Sequence, residues 1–338
     1  MNLIEKMSND LNIDQEFITK IAGNSKKYYS HYSIKKKNGG TRLIYHPSPC
    51  LKTFQYWLVY NVFNYFKISR YAFAYDKGCS IKKNASAHLN GNYILHIDIR
   101  NFFESINSVH ILDLLTKNSK TLMDLSIAEN DYKLILDLCL YNDHLVIGSV
   151  CAPRLSNCVM YDFDEEVDNL ITNFGDIIYT RYADDIVLSS REFINNNIIN
   201  ELKRILLKYR FDINLDKTKF MSNKGRKIVT GLIINNGKLS IGMNKRLELK
   251  EMLYKKLKYN QGDGNKILGH LFFLKDIEPQ FFNKLILKYS KYGDVLEILK
   301  RDQQIPPIPP NINRTIKEAA ITSDTNVNVD DKMNKNGE

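Results

Sequence analysis

The sequence predicts an α+β fold, a sheet with helices packed on it, and three observations carry that expectation. Helical and strand-like segments alternate irregularly along the 338 residues, where a doubly wound sheet would alternate strictly. No strand is followed by a glycine-rich phosphate loop, which argues against Rossmann and P-loop folds. Two strongly apolar strand regions carry aspartate where they end or turn, at Asp98 and at Asp184-Asp185.

The elements follow in order. In the first thirty residues Ile4, Met7, Leu11, Phe17, Ile18 and Ile21 recur at near-helical spacing. Asn38-Gly39-Gly40 between two basic, β-prone runs reads as a hairpin tip. Pro47-Ser48-Pro49 then breaks into a helix striped by Leu51, Phe54, Trp57, Leu58 and Val62. Tyr93-Ile94-Leu95-His96-Ile97-Asp98-Ile99 is nearly continuous apolar sequence, as in a strand covered on both faces. Helices are expected over 108–115, over 122–140, and from Pro153 through Leu155, Val159, Phe163, Val167 and Leu170. Residues 176–189 read as strand, tight turn and strand around Tyr182-Ala183-Asp184-Asp185. A helix near 195–209, short strands over 228–241 and a Lys-rich helical module over 245–300 complete the body. Ile305-Pro306-Pro307-Ile308-Pro309-Pro310 reads as a stiff extended linker, and the polar sequence beyond it as a disordered tail.

Composition narrows the partners. With 43% hydrophobic and 25% charged residues the chain is ordinary globular protein, and its net charge of +10 favours a polyanion. Residues 301–338 carry five basic and six acidic side chains, so the excess lies in the body. Five scattered cysteines without a C-x-x-C pair exclude a zinc ribbon and point to reduced thiols. The N-terminus lacks a signal-peptide core and no apolar run approaches membrane-spanning length, so a cytoplasmic protein with no membrane partner is expected.

A buried strand ending in Asp98, beside a hairpin turn carrying Asp184 and Asp185, would bring carboxylates to one rigid point. Hard carboxylate oxygens suit Mg²⁺. Two such ions can steady both the attacking and the departing oxygen when a nucleotide is added to a growing chain. Alone, an Asp-Asp pair at a turn is more often a solvated cap. The apolar strands on either side tell against that reading.

These residues resemble a known family. Tyr182-Ala183-Asp184-Asp185 matches the Y-x-D-D signature of reverse transcriptases. His96-Ile97-Asp98-Ile99-Arg100-Asn101-Phe102-Phe103 resembles their first catalytic motif, and Asn214-Leu215-Asp216-Lys217-Thr218 their N-x-x-K-T motif. Order and spacing also agree, over about residues 30–240. Asn84-Ala85-Ser86-Ala87-His88 and Val229-Thr230-Gly231 further resemble the N-A-x-x-H and V-T-G motifs of bacterial retron reverse transcriptases. One stretch departs: where the family has Gln-Gly and then Ser-Pro, this chain has Ile147-Gly148 and Ala152-Pro153. That puts shaping of the incoming-nucleotide pocket in doubt, but not the metal chemistry.

The resemblance implies a right-hand polymerase: an N-terminal helical segment (1–30), fingers with the start of the palm (31–92), an antiparallel palm sheet with packed helices (93–240), a helical thumb (241–300) and the tail (301–338). Asp98 and Asp184 would bridge two Mg²⁺ (or Mn²⁺) ions, with Asp185 and the Ile99 carbonyl in support. Lys217 would assist the leaving pyrophosphate, Arg42 would grip the triphosphate, and Phe103 would be the steric gate beside Gly148 of the nucleotide pocket. Asn84, His88, Val229, Thr230, Gly231, Lys245, Lys250, Lys255 and Lys256 would meet RNA; for each lysine a merely solvated helix face competes.

The implied activity is DNA synthesis from deoxynucleoside triphosphates on a cognate structured noncoding RNA, primed by an RNA 2′-OH. It would operate in bacterial anti-phage defence with an effector (toxin) protein. The alternatives are a non-retron bacterial defence reverse transcriptase and a non-catalytic RNA-binding scaffold restraining an effector.

Overall fold

The computed structural model of the chain describes residues 2–35 and 39–300. Of the expected hairpin tip, Gly39 and Gly40 are described, both at positive φ, while Asn38, and the Pro-rich linker and tail at 301–338, lie outside the described residues. The chain opens with α1 (Leu3–Leu11), α2 (Gln15–Gly23), the hairpin β1 (Tyr29–Lys35) and β2 (Thr41–Pro47), and α3 (Pro49–Asn61). Then come α4 (Ile81–Ala87), β3 (Tyr93–Ile99), α5 (Phe102–Ser105), α6 (Ser108–Lys117), α7 (Ser119–Asp124) and α8 (Tyr132–Cys139). They are followed by α9 (Ala152–Val159), α10 (Tyr161–Ile171), β4 (Ile177–Tyr182), β5 (Asp185–Ser190), α11 (Asn197–Lys208) and β6 (Ile213–Met221). Three short strands, β7 (Lys227–Val229), β8 (Leu232–Asn235) and β9 (Lys238–Ser240), precede four helices. These are α12 (Met243–Tyr259), α13 (Gly264–Ile277), α14 (Pro279–Tyr289) and α15 (Val295–Lys300).

Two sequence expectations change in detail. The helix expected over 122–140 is broken, because Ser126 adopts a φ of 55° between α7 and α8. A left-handed residue cannot continue a right-handed helix. The run from Pro153 is likewise two helices, separated at Met160.

The described residues form two compact units, 2–69 with 100–163, and 70–99 with 164–300. In the first, Leu3, Met7, Ile18, Leu51, Phe54, Leu58, Ile111, Leu115, Ile135 and Leu138 are almost wholly buried, each removal from water contributing about 1.5–3 kcal/mol. Gln55 pins this core: its Nε2 donates to the Tyr29 hydroxyl (2.7 Å) and the Leu138 carbonyl (2.9 Å), and its Oε1 accepts from the Val150 N–H (3.1 Å). A buried amide so satisfied fixes register as well as stability.

The second unit holds an antiparallel sheet in the order β4-β5-β3-β6. The apolar β3 lies between β5 and β6, and its residues on both faces are buried or half-buried, which explains why it lacks polar alternation. Behind it, Ile94 and Val187 of the sheet join Leu249 and Leu253 of α12, Leu271 and Leu274 of α13, Phe282 and Leu285 of α14 and Leu299 of α15 in one continuous core. Among the described residues no helix is long and apolar enough to cross a membrane.

Candidate catalytic centre

The register of the sheet sets the acidic residues. Asp98 on β3 pairs directly with Asp185 on β5, and Tyr182 pairs with Asp185 across the β4–β5 hairpin. Ala183 and Asp184 are therefore the two loop residues. Ala183 has a φ of 57°, a conformation that usually falls to glycine in two-residue hairpins and that costs a residue with a Cβ about 1–2 kcal/mol. Its surroundings hold it there. The Ile99 N–H donates to the Asp184 carbonyl (2.9 Å), and the Arg181 guanidinium donates to the Ala183 carbonyl (3.3 Å).

Arg181 is itself fully buried. Its Nε and Nη2 grip the two oxygens of buried Asp164 at 2.8 and 2.7 Å, and the Tyr179 hydroxyl donates to the same carboxylate at 2.6 Å. A fork-on-fork pair of this kind is strong and directional. It buttresses the turn that presents Asp184 and Asp185.

Around the carboxylates the charges are unevenly matched. The Lys217 ammonium lies 2.8 and 2.9 Å from the two oxygens of Asp98, and Asn214 Nδ2 lies 3.1 Å from one of them. His96 Nε2 lies 3.1 Å from Asp185. Burial works against a proton on His96, but the hydrogen bond and charge of Asp185 outweigh it and raise its pKa. Asp184 is left with the worst environment: burial, and then the neighbouring charge of Asp185, push its carboxyl up to about 6. This is a corner with more negative charge than its own side chains neutralise.

That is what a divalent cation would relieve. Among the described residues no three His, Cys, Asp or Glu side chains form a ready-made cage. Mg²⁺ does not demand one, since it is commonly held by one or two carboxylates, waters and substrate phosphates. The donor set fits such an ion.

Four participants here were not assigned roles from sequence: His96, Asn214, Arg181 and Asp164. His96 stands two residues before Asp98 and so on the same face of β3, and Asn214 begins the segment already singled out for Lys217. Those signals were available. Arg181 and Asp164 are 17 residues apart in sequence, and only the fold joins them.

The other predicted residues fall elsewhere. In the first unit Arg42 is exposed on β2, opposite Ile34. Phe102 is buried, and Phe103 is half-buried with its ring 5.4 Å away. Gly148 has a φ of 108°, and a Cβ there would come within 2.2 Å of the Tyr45 carbonyl, so only glycine allows this approach to β2.

In the second unit the structure corrects several expected RNA contacts. Asn84 and His88 are fully buried, as is Val229, and Lys256 is almost so; covered side chains cannot touch RNA. His88 bridges Ser189 Oγ and Thr180 Oγ1, each at 2.7 Å, and burial lowers its pKa to about 4. Thr230 Oγ1 donates to the Ile81 carbonyl (3.0 Å). Gly231, Lys245 and Lys255 are exposed, and Lys250 is half-buried with its ammonium 5.4 Å from the Phe281 ring centre. Lys255 is engaged by Glu251 at 2.7 Å.

Comparison with known proteins finds relatives over most of the chain. Residues 34–270 match the family model described as reverse transcriptase (RNA-dependent DNA polymerase). The chain is 33% identical over 280 residues to the retron Ec73 reverse transcriptase of Escherichia coli, covering 76% of this chain and 86% of that one. It is 29% identical over 279 residues to the retron Ec83 reverse transcriptase of the same organism, covering 78% and 88%. Telomerase from Candida albicans, in complex with a fragment of telomeric RNA, is similar at a TM-score of 0.46 and 12% identity, over 90% of this chain and 66% of that one. With its antiparallel sheet and packed helices in the α+β right-hand polymerase fold, the chain belongs to the reverse transcriptase family, as a bacterial retron reverse transcriptase, an RNA-directed DNA polymerase.

Proposed function

We propose that Asp98, Asp184 and Asp185 hold two Mg²⁺ ions, and that the chain copies a cognate structured noncoding RNA into single-stranded DNA from a 2′-OH of that RNA. The observation that carries the metal reading is the pairing of Asp98 with Asp185, next to an Asp184 carboxyl pushed up to about 6. Mn²⁺ would be accepted by the same oxygens.

When bound, the ions would supply the positive charge that the attacking and leaving oxygens need. The chain's own residues do the rest. Asn214 and Lys217 orient the Asp98 carboxylate, and His96 orients that of Asp185. Lys217, with its side chain 59% exposed, can turn from Asp98 toward the departing pyrophosphate and give it charge or a proton. Arg42 offers a planar fork for the triphosphate, Gly148 lines the nucleotide pocket, and Phe103 opposes a ribose 2′-OH. Exposed Gly231 and Lys245, with Thr230, Lys250 and Lys255, form the RNA-facing side of the second unit. They recognise shape and backbone rather than base sequence. In the cell this product would serve anti-phage defence in the bacterial cytoplasm together with an effector protein.

The test replaces both Asp184 and Asp185 by Ala and measures deoxynucleotide incorporation on a primed RNA template with Mg²⁺. The expected result is loss of synthesis with RNA binding retained. Undiminished synthesis would remove Asp184 and Asp185 from the metal-holding role. Sequencing the nucleic acid that copurifies with the wild-type protein tests the rest: a discrete RNA-linked DNA is expected, and a heterogeneous set of templates would remove the cognate-RNA assignment.

A further inference from the structure

The first unit carries a cationic, tyrosine-rich surface that the catalytic reading does not use. Residues 17–69 hold nine basic side chains and no acidic one, in a chain whose net charge is +10. Seven of the chain's 20 tyrosines fall in the same stretch. Part of it is organised by α3. The inner face of that helix, with Leu51, Phe54, Gln55 and Leu58, is fully buried, and this fixes the direction of the outer one. There Lys52, Tyr56 and Tyr60 recur four residues apart and so form one stripe.

The stripe is open and held in place. Tyr56 is 49% exposed and Tyr60 64%, and their rings lie 6.2 Å apart with planes 15° from parallel. Tyr65, 60% exposed, follows in the turn Phe63–Tyr65. Arg154 of α9 secures that turn, donating to the carbonyls of Phe63 (3.0 Å), Asn64 (3.2 Å) and Phe66 (2.8 Å). At the other end the Lys52 ammonium lies 3.0 Å from His46 Nε2. The Ser48 N–H donates to the Tyr28 carbonyl (2.7 Å), which brings exposed Lys27 to the start of the helix.

Single exposed tyrosines are ordinary, but three within ten residues on a face free of acids call for an occupant. An acidic protein would answer the lysines and leave the parallel ring faces unused. Unpaired nucleotides answer both, since phosphates meet the cations and bases stack on the rings. In a duplex the base faces are already covered by one another, so the occupant is single-stranded. We propose that the outer face of α3 binds single-stranded nucleic acid, with bases stacked on Tyr56, Tyr60 and Tyr65 and phosphates beside Lys27 and Lys52. Such binding tolerates many sequences, and RNA and DNA strands share its chemistry. The site lies within the first unit and rests on none of the metal assignments.

Trp57 is a built-in reporter. It is the chain's only tryptophan, adjoins Tyr56, is 6% exposed, and donates from Nε1 to Asp10 at 2.9 Å. The full-length protein, freed of copurified nucleic acid, is titrated with short oligo(U) and oligo(dT) while Trp57 fluorescence is followed. A saturable change is expected with the single strands, and weaker binding with duplex RNA. Tyr56→Ala with Tyr60→Ala should weaken binding about tenfold for each ring lost. Phe at both positions should preserve it, because the ring faces remain. Lys52→Gln should lower the slope of log affinity against log salt by about 0.7, and this decides the matter if the double alanine variant does not fold. Tighter binding of oligo(U) assigns the strand to RNA, and of oligo(dT) to DNA. No fluorescence response, equal binding of duplex, matching binding of polyglutamate, or an unchanged affinity in the double alanine variant would each overturn the proposal.

Discussion

Two short segments of the second unit, similar in length and in their mixture of polar and apolar residues, have opposite fates. At the end of β3 and the β4–β5 turn, polar side chains are placed where charge stays incompletely balanced: Lys217 serves Asp98, His96 serves Asp185, and Asp184 is left with a raised pKa. In α4 and the residue that caps it, Asn84 and His88 are sealed inside, and His88 is held neutral between two hydroxyls. The first arrangement stores electrostatic demand for a ligand, whereas the second ties a helix to the back of the sheet. A motif shared with a family thus says which residues matter, while burial and charge say whether they act on a substrate or on the fold.

The largest expected effect that sharpens this contrast is Asp98→Asn. The substitution is nearly isosteric and keeps an acceptor for Lys217 and Asn214, so the fold should persist. Incorporation should fall on the order of 10³-fold because a ligand charge is gone. Single-turnover synthesis on a primed RNA checks it, alongside an unchanged far-ultraviolet circular dichroism spectrum. A loss of folded protein equal to the loss of rate would erase the distinction between the two regions.

His88 should behave in the opposite way, through stability. Its pKa is lowered by burial from 6.5 to about 4, so between those values the unfolded chain binds the proton more readily than the folded one. Stability from this group is complete above about pH 6.5, falls as pH drops, and is reduced by about 3 kcal/mol near pH 4. Urea unfolding midpoints measured from pH 7.5 to 4.5 should show that slope, and His88→Gln should flatten it. Equal slopes in both proteins would mean that His88 is not the group responsible.

Much of the catalytic corner was legible because strand chemistry is local. Tyr93–Ile99 is apolar enough to demand cover on both faces, and an aspartate pair between two apolar strands has few bland explanations. What sequence hid is set by tertiary packing. Ile81-Lys82-Lys83-Asn84-Ala85-Ser86-Ala87 is mostly polar or small and shows no apolar stripe, yet it packs against β4, β7, β8 and β9. Lysine stems and small side chains let it lie close. Arg181 was equally opaque, since an arginine within an apolar strand acquires its meaning only from Asp164 on a helix. The break at Ser126 was missed because apolar periodicity continues across it while the backbone does not.

Lys217→Met separates orientation from chemistry within the catalytic corner. The side chain is largely exposed, so folding should be unaffected. If Lys217 acts on the leaving pyrophosphate, kcat should drop about 100-fold, the low end for a positioned proton donor, with a smaller change in KM for the nucleotide. A rise in KM with kcat unchanged would assign Lys217 to binding alone.

The smallest effect probes α4 most sharply. Neither Asn84 Nδ2 nor Asn84 Oδ1 has a hydrogen-bond partner, and both are buried. An unsatisfied buried polar group costs about 1–3 kcal/mol, and an apolar group of similar shape escapes that cost. Asn84→Leu should therefore leave stability unchanged or raise it by about 1 kcal/mol, with polymerase activity per folded molecule intact, as read by thermal unfolding and primer extension. A clear loss of stability would show that the amide is needed as a polar group. The segment would then be more than packing, and its likeness to the catalytic corner closer than burial alone implies.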